Sequence, residues 1–428
     1  MKDRIQKEGI NKWYQAGCNG TLEYATGVGK SRCGVLAAGW LVKSKPDASI
    51  LILTPTQTIR DQAWIAEFKK WGAYHIFEDN VECVCIQTAY KYEGRHYDLI
   101  IADEVHNYLG FEEDSKYFRV FENNTYDKLL CLSASIDVDL LPKLNTIAPI
   151  CDSIDTNKAV ELGLVSPFQI YNVMVNLSED ERAAYHKCDV EFNKTFSVFK
   201  HDLTVMFECL KSHTYFTKHL MNVFGGYTLS PAEKSEIMHK YKSYPTRCSN
   251  AMKERKSILY EANEKLDAIE HISNLINTRK GVIFSQTSKF ADRVGEVLGD
   301  ICVVEHSKIR PPKKRLENIK KFQDDRTRVR RISAVKSLNE GANLKGTSFI
   351  IIASGTSKLK DTIQRIGRSV RFEDGKTALI IRLCVRDSQE EKWMKSSQTG
   401  YDVNVVSEYK KLEEYVKHRN EELSRIDD

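Results

Sequence analysis

Three short segments of the sequence contain residue types that bind phosphate and activate water. The first, Glu23 to Ser31, reads EYATGVGKS and lies between a β-like run and an apolar run of helical length. Its glycines would let backbone N–H groups approach phosphate oxygens, and the following helix N-terminus adds a favourable dipole. Lys30 would then reach the β- and γ-phosphates of a nucleotide, and Ser31 would ligate Mg²⁺. Tyr24 stands where the GxxxxGK[ST] pattern has its first glycine, so a helix-capping turn is the alternative interpretation.

The second segment is a pair of carboxylates, Asp103 and Glu104, that directly follows an apolar run ending at Ala102. In α/β folds the carboxyl ends of parallel strands form the edge where ligands bind. At such an edge Asp103 would hold Mg²⁺ through its water shell, and Glu104 would polarise an attacking water as general base. The sequence continues as DEVH, which places His106 where it can couple these acids to other residues. An ordinary surface histidine is the alternative.

The third segment, Gln364 to Arg371, reads QRIGRSVR. Arg365, Arg368 and Arg371 recur at i, i+3 and i+6 and would share one side of a predicted helix. A guanidinium facing a γ-phosphate stabilises transition-state charge, an effect worth roughly 10³–10⁵ in the rate of related NTPases. A solvated basic helix would explain the arginines but not the glycine between them.

Buried strands that alternate with helices are predicted to position these segments. Apolar runs that suit strands buried on both faces occur in two groups, at residues 49–54, 97–102 and 128–133 and at residues 281–285, 349–353 and 377–383. Helical patterns separate strands of each group, at residues 59–71, 290–298 and 313–322. This alternation predicts parallel βαβ units, so we expect an α/β fold with two parallel-sheet lobes. Residues 177–265 show a helical pattern instead and are predicted to form a helical insertion between the lobes.

Composition excludes several other classes of protein. Hydrophobic residues make up 41% and charged residues 29% of the 428 residues, as in soluble globular proteins and unlike disordered chains. The 11 cysteines include no CxxC pair, so neither a disulfide framework nor a zinc ribbon is expected, and the thiols are expected to be reduced in the cytoplasm. No apolar run approaches the ~20 residues of a transmembrane helix, and the first residues lack the apolar core of a signal peptide.

Together these segments resemble the motifs of superfamily 2 helicases and translocases of the DExH type. The run ATGVGKS resembles motif I, DEVH resembles motif II, and QRIGRSVR resembles motif VI, which are the three most specific motifs. The resemblance covers roughly residues 3 to 385, except for the predicted insertion. Within the superfamily, the chain is similar to compact phage or bacterial DNA helicases. It implies two RecA-like lobes, over residues 1–176 and 266–386, followed by a tail over residues 387–428 that is predicted to be helical.

The resemblance assigns further residues to each role. Catalysis would involve Lys30, Asp103, Glu104 and two arginine fingers, Arg368 and Arg371. The nucleotide would contact Arg4, Gln6, Thr26, Gly27, Val28, Gly29, Lys30, Ser31, Glu340, Gly341 and Gln364. Nucleic acid would contact Pro55, Thr56, Gln87, Thr88, Ser285, Gln286, Ser337 and Asn339. Coupling between the two ligands would involve His106, Ser133 and Ser135. Arg4 and Gln6 resemble the adenine-reading Q motif, but no aromatic residue precedes them to stack the base.

The implied activity is that of an ATP-driven motor on nucleic acid, with ATP and Mg²⁺ as cofactors. We expect a monomer that unwinds or remodels branched DNA in the cytoplasm of a bacterial or phage-infected cell. An RNA helicase, and a duplex-DNA translocase that does not separate strands, are the alternatives. A binding module without hydrolysis is a further alternative, but the intact catalytic set argues against it.

Two regions outside the motifs would also face nucleic acid. From Lys308 to Arg331 there are 11 Lys/Arg and 3 Asp/Glu, so a net +8 is concentrated in a chain whose total is +5. This basic segment would follow phosphates, or form a solvated helix of the second lobe. In the predicted insertion, aromatic residues such as Phe224 and Tyr227 could stack on bases, although the core of a small helical domain is the favoured interpretation.

Overall fold

The computed structural model describes residues 1–55, 63–110, 116–165, 167–225, 228–335, 344–354, 370–372, 377–396 and 403–417. These residues form two large parallel β-sheets with helices on their faces, one small two-stranded parallel sheet, and a helical region between the two large sheets in sequence. The expected α/β fold with two parallel-sheet lobes is therefore confirmed.

The first sheet has six parallel strands among the described residues, in the order β3-β2-β5-β7-β1-β8. The strands of this part of the chain are β1 (Asn19–Tyr24), β2 (Ile50–Thr54), β3 (Val81–Cys85), β4 (His96–Tyr97), β5 (Leu99–Asp103), β6 (Thr125–Tyr126), β7 (Leu129–Ser133) and β8 (Ile150–Ile154). Strands β2, β5 and β7 are buried throughout, which explains their continuous apolar runs. Because the strands are parallel, the carboxyl ends of β1, β2, β5 and β7 meet at one edge of the sheet.

Helices cover both faces of this sheet and separate its strands in sequence. They are α1 (Lys2–Gln15), α2 (Lys30–Ser44), α3 (Trp64–Lys70), α4 (Tyr74–Asn80), α5 (Ile86–Ala89), α6 (His106–Leu109), α7 (Arg119–Glu122), α8 (Leu141–Asn145) and α9 (Thr156–Glu161). One core contains the fully or nearly fully buried rings of Trp13, Trp64 and Phe68, and the core on the other face contains Tyr108. The sheet is thus held between two apolar layers.

The second sheet is also parallel, with the order β11-β12-β10-β13-β15-β9-β16 and with β14 paired to β13. Its strands are β9 (Phe168–Val175), β10 (Lys280–Ser285), β11 (Cys302–Glu305), β12 (Arg331–Val335), β13 (Leu344–Ile352), β14 (Val370–Phe372), β15 (Ala378–Val385) and β16 (Val403–Val406). The remaining helices are α10 (Glu179–Phe196), α11 (Leu203–Lys211), α12 (His213–Phe224), α13 (Pro231–Tyr241), α14 (Tyr244–Glu261), α15 (Asn263–Leu275), α16 (Ser288–Leu298), α17 (Pro312–Gln323) and α18 (Gln389–Ser396).

The second sheet differs from the expectation at both of its sequence borders. Strand β9 lies within the range assigned to the first lobe, residues 1–176, yet it pairs with β15 along its whole length and also with β16. Strand β16 lies in residues 387–428, the tail that was predicted to be helical. Both strands are short apolar runs, and such runs do not reveal which sheet they join, because pairing depends on contacts distant in sequence.

The helical region between the sheets has a core of its own. Phe192, Phe196, Phe199 and Phe216 are buried in it, so these aromatic residues pack against each other. Phe224 stacks on Tyr241 with ring centroids 4.9 Å apart and is half-buried, which argues against its role as a free base-stacking side chain. Tyr227 lies outside the described residues.

Both ends of this region are anchored to the second sheet. Tyr185 of α10 and Leu259 of α14 belong to the core of that sheet. The Nζ of Lys265 lies 2.9 Å from both carboxylate oxygens of Glu390, and both side chains are completely buried. This ion pair joins α15, which follows the helical region, to α18, which follows β15.

Candidate active site

A loop between β1 and α2, residues 25–29, has the backbone shape that phosphate binding requires. Gly27 and Gly29 have φ angles of +94° and +101°, in the left-handed region that favours glycine. The Nε2 of Gln6 in α1 donates a hydrogen bond of 2.7 Å to the Val28 carbonyl, and a side chain at Gly29 would collide with this amide. We call these residues the phosphate loop. Gln6 therefore braces the loop, and its contact with a nucleotide stays a prediction.

Other predicted residues of this region lie as follows. Thr26 and Ser31 are half-buried, with Ser31 in the first turn of α2. Arg4 lies on the exposed side of α1, where it forms an ion pair of 3.4 Å with Glu8. The structure thus places Gln6 against the loop but leaves Arg4 at the surface.

Tyr24 explains why the loop tolerates a departure from the usual glycine pattern. Its ring is completely buried beside Gly9, and its hydroxyl donates a hydrogen bond of 2.6 Å to Asp152 Oδ2. Burial, and then this hydrogen bond, raise the pKa of the Tyr24 phenol far above its usual value. Only the backbone of Tyr24 faces the loop, where its carbonyl accepts a hydrogen bond of 2.8 Å from Lys30 Nζ. The side chain at this position therefore serves the core.

The two predicted acids lie at the end of β5, opposite Lys30. Asp103 and Glu104 are 8% and 4% exposed, and Asp103 Oδ2 accepts a hydrogen bond of 3.3 Å from Trp64 Nε1. Lys30 Nζ lies 3.9 Å from Glu104 Oε1. Glu104 has a φ of +54°, a left-handed conformation that is costly for a residue with a side chain and is often found at functional sites. The structure thus brings together the predicted phosphate anchor and the predicted base.

The three predicted coupling residues form a chain of contacts that starts at Glu104. His106 Nδ1 lies 3.5 Å from Glu104 Oε2 and 2.9 Å from Ser133 Oγ. Ser133 Oγ in turn donates a hydrogen bond of 2.8 Å to the Ser135 carbonyl. Because the hydroxyl proton is directed to Ser135, the Ser133 oxygen accepts from His106, which assigns the ring proton to Nδ1. The chain links the site to the segment that follows β7.

Two residues that support the site, a tryptophan and a glutamate, were not predicted from the sequence. Trp64 fixes Asp103, although it lies 39 residues away and belongs to no motif. Glu23 accepts hydrogen bonds of 2.9 Å from the Ile136 N–H and from Ser153 Oγ, so it ties the segment after Ser135 to β1 and β8. The only available signal for Glu23 was that it is the one charged residue of the short strand β1.

Three predicted nucleic-acid contacts of the first lobe belong to the described residues and lie together. Gln87 Nε2 donates a hydrogen bond of 3.2 Å to the Pro55 carbonyl, and Gln87 and Thr88 are both exposed on α5. Ser285 differs, because its side chain is buried at the end of β10 and only 2% exposed, while Gln286 beyond it is half-buried. A surface contact of the Ser285 side chain is therefore not supported.

Several predicted residues cannot be placed. Those outside the described residues are Thr56, Ser337, Asn339, Glu340, Gly341, Gln364, Arg365 and Arg368. Arg371 lies in β14, paired with Lys345 of β13, so its backbone is extended and the expected helical repeat of arginines does not continue to it. Its neighbours Val370 and Phe372 are residue types that favour strands, which accounts for the difference.

No helix of the described residues has the length and apolarity needed to cross a membrane.

Comparison with known proteins shows two family matches and a shared fold. Residues 3–138 match the family described as type III restriction enzyme, res subunit, and residues 264–373 match the family described as helicase conserved C-terminal domain. No curated protein sequence matches significantly. The two matches contain the phosphate loop with the carboxylate pair, and the arginine segment, respectively.

Two solved structures share the fold at low sequence identity. Dbp5 of S. cerevisiae, bound to RNA and ADP BeF3, superposes with a TM-score of 0.59 at 14% identity, over 97% of this chain and 92% of that chain. The helicase domain of Pyrococcus furiosus Hef gives a TM-score of 0.52 at 14% identity, over 93% of this chain and 97% of that chain. The similarity extends over nearly the whole length of all three chains.

Proposed function

Because the chain belongs to superfamily 2 of the helicases and translocases, whose members are nucleic-acid-dependent ATPases, we propose that it couples ATP hydrolysis to the unwinding or remodelling of DNA. The observation that carries the proposal is the contact between Lys30 and Glu104, 3.9 Å apart at the edge where β1 and β5 end. It joins a phosphate anchor to a base at the position that a γ-phosphate would occupy.

Each residue of the site has a distinct part in the proposed reaction. Lys30 leaves the Tyr24 carbonyl and binds the β- and γ-phosphates of ATP, while the backbone N–H groups of the phosphate loop surround them. Glu104 accepts a proton from the water that attacks the γ-phosphate. Arg368 and Arg371 of the second lobe stabilise the negative charge of the transition state, as arginine fingers do in related enzymes.

The residues that would hold a divalent metal fit Mg²⁺. Ser31 offers a hydroxyl and Asp103 a buried carboxylate, and Mg²⁺ prefers such hard oxygen ligands. Mg²⁺ at this position would neutralise phosphate charge and orient the γ-phosphate. Trp64 restricts the orientation of Asp103 through its hydrogen bond to Oδ2.

His106, Ser133 and Ser135 would transmit the state of the nucleotide to the nucleic acid. Glu104 contacts His106 directly, so a change in its charge or position alters the His106–Ser133 hydrogen bond. Contacts of Pro55, Gln87 and Thr88 with phosphates would read no sequence, which suits a motor that moves along a strand.

DNA is the proposed substrate, and the enzyme is proposed to act as a monomer. The sequence DEVH of motif II and the form of motif I favour DNA-processing branches, and the family of residues 3–138 is named for a restriction enzyme. The alternative is RNA, which the shared fold with RNA-bound Dbp5 keeps open.

The decisive experiment measures the ATPase rate without nucleic acid and then with single-stranded DNA, duplex DNA, forked DNA and single-stranded RNA, all at one salt concentration. Strong stimulation by single-stranded or forked DNA, with little by RNA, is the expected result. Stimulation by RNA alone would refute the choice of DNA. A strand-displacement assay on the same substrates then separates a helicase from a translocase that moves on duplex without opening it.

A further inference from the structure

An arginine and a tryptophan form a stacked pair beside the phosphate loop, although neither belongs to a predicted motif. Arg32 directly follows Ser31 in the first turn of α2, where its backbone N–H donates to the Gly29 carbonyl at 3.0 Å. Its guanidinium carbon lies 3.8 Å from the centre of the Trp71 ring. This is the distance of a close cation–π contact, and a planar guanidinium stacks well on an aromatic face.

The indole of Trp71 is held in place from its own helix. Trp71 follows the last residue of α3, and its Nε1 donates a hydrogen bond of 2.6 Å to Glu67 Oε1. Lys70 adds a second cation 4.9 Å from the ring centre. Trp71 is still 37% exposed and Arg32 is half-buried, so the fixed ring lies at the surface and the guanidinium upon it is partly covered.

Arg32 also lies close to the first turn of α1, next to Arg4. The ion pair with Lys7, at 2.7 Å, and in addition the charge of Arg32 lower the pKa of Asp3. Among the described residues, the buried Nε of Arg32 has no hydrogen-bond partner. The guanidinium is therefore positioned by stacking rather than by a carboxylate, between α3 on one side and the predicted nucleotide-reading helix α1 on the other.

We propose that Arg32 and Trp71 form the subsite for the nucleobase of ATP, which stacks on the outer face of the guanidinium that Trp71 supports. The inference rests on the proposed function, which places the triphosphate in the phosphate loop. With the γ-phosphate at Lys30, the ribose and base leave the loop past the first turn of α2, where Arg32 is the residue after Ser31.

The experiment compares ATP with tripolyphosphate, which has the phosphates but no base. The variants are Trp71→Ala and Arg32→Lys, and the lysine keeps the charge but loses the planar group. Trp40→Ala is the matched control, because this 38% exposed indole lies further along α2 and makes edge contacts with Trp13 and Tyr14. Measurements are KM and kcat for ATP, the affinity for a fluorescent ATP analogue, and the inhibition constant of tripolyphosphate.

Both test variants are expected to raise KM for ATP by about 10-fold and to lower the affinity for the analogue by a similar factor. This is the order of magnitude expected for the loss of one base-stacking contact. The rate at saturating ATP and the inhibition constant of tripolyphosphate are expected to stay unchanged. The lost contact binds the base equally in the ground state and the transition state, and tripolyphosphate has no base. An equal loss of affinity for ATP and for tripolyphosphate would overturn the proposed subsite. The same conclusion would follow if Trp71→Ala and Trp40→Ala gave the same KM and the same affinity for the analogue. A wild-type chain that binds the analogue but hydrolyses no ATP would refute the proposed function, and the analogue would still test the stack.

Discussion

At the scale of single residues, Glu104 is the side chain on which most contacts of the site converge. It faces Lys30 at 3.9 Å and His106 at 3.5 Å, and its backbone adopts a costly left-handed conformation. A residue held in this way against local preference indicates that the surrounding structure fixes the position of its carboxylate. The same carboxylate is therefore placed for both of its proposed roles, as the general base and as the contact to His106.

Glu104→Gln should retain ATP binding and lose hydrolysis. The amide is isosteric with the carboxylate but accepts no proton from water, so we expect kcat to fall by about 10²–10⁴, the range of a lost general base. Steady-state ATPase assays and the affinity for a fluorescent ATP analogue measure the two effects. Near-normal turnover would contradict the assignment of Glu104 as base.

Lys30→Ala provides the contrast for that variant. Removal of the ammonium group deletes the phosphate anchor, so both ATP binding and turnover should be lost. The two variants together distinguish a defect in chemistry from a defect in binding. A Lys30→Ala protein that binds ATP normally would place the triphosphate elsewhere.

The positions of the proposed reacting residues were more predictable from the sequence than those of the residues that support them. Lys30 was predictable from the glycine-containing loop that leads from β1 into α2, and Asp103 and Glu104 were predictable from their place at the end of an apolar strand, because parallel strands bring their carboxyl ends together. The contacts of Trp64 with Asp103 and of Glu23 with Ile136 depend on the packing of distant elements, which no local spacing encodes. Tyr24 departs from the glycine pattern, but its side chain packs into the core and only its backbone faces the phosphate loop.

At the scale of elements, the helical region between the sheets has a core of its own, and both of its ends are anchored to the second sheet. Its own aromatic core spans residues 192–252, whereas Tyr185 and Leu259 pack into the core of the second sheet. Helices α10 and α14 run side by side between these two cores and are joined by an ion pair of 2.5 Å between Asp189 and Arg255. The outer unit can therefore be removed without exposing the second sheet.

Replacement of residues 192–252 by a short glycine-serine linker tests what this unit does. We expect ATP binding and nucleic-acid-independent turnover to persist, because none of the proposed catalytic residues lies in this unit, and strand displacement to be lost. The measurements are ATPase rate and unwinding of a forked duplex. Unwinding at the wild-type rate would show that the unit is neither wedge nor clamp.

Prediction of the elements failed mainly at the borders of the second sheet. The apolar runs of β10, β13 and β15 sufficed to find these three strands, whereas β12, which lies between β11 and β10 in the sheet, was not predicted. Strand β9 comes before the helical region and β16 comes after α18, and each joins the sheet only through pairing with residues far away in sequence. The range 168–175 therefore reads equally well as the last strand of the first lobe.

The buried ion pair between Lys265 and Glu390 holds these borders together. Glu390→Gln would leave the lysine charge buried without a counterion, which should lower the free energy of unfolding by about 3–5 kcal/mol. Glu391→Gln is the control, because it removes a surface pair with Lys395 on the same helix and should cost less than about 1 kcal/mol. Urea unfolding measures both. Equal effects of the two variants would show that the buried pair does not anchor α18.

At the scale of the whole molecule, the positive charge of residues 308–331 divides into two groups with different roles. Arg331 is fully buried and donates hydrogen bonds to the carbonyls of Ser273 and Ile276, and Arg315 pairs with Glu305 at 2.7 Å. These arginines stabilise the fold. The lysines of α17 are exposed instead, as are Lys308, Arg310, Arg326 and Arg328, so they belong to the part of the segment that is available to phosphates.

Topology predicts which of these lysines lies nearest to nucleic acid. Helix α17 begins after the carboxyl end of β11, on the edge of the parallel sheet where ligands bind, and runs away from it for 12 residues. Lys313 and Lys314 are therefore close to that edge, and Lys320 and Lys321, equally exposed, are about two turns further away.

The double variant Lys313→Gln, Lys314→Gln should weaken DNA binding and make it less dependent on salt. If each lysine contacts one phosphate, the slope of log affinity against log salt concentration should become shallower by about 2, because each neutralised phosphate contributes about 0.9. The double variant Lys320→Gln, Lys321→Gln removes the same charge from the same helix and should change the slope much less. Equal changes in both slopes would mean that α17 acts only through the net charge of the molecule, and that the path of the strand does not pass the N-terminal end of this helix.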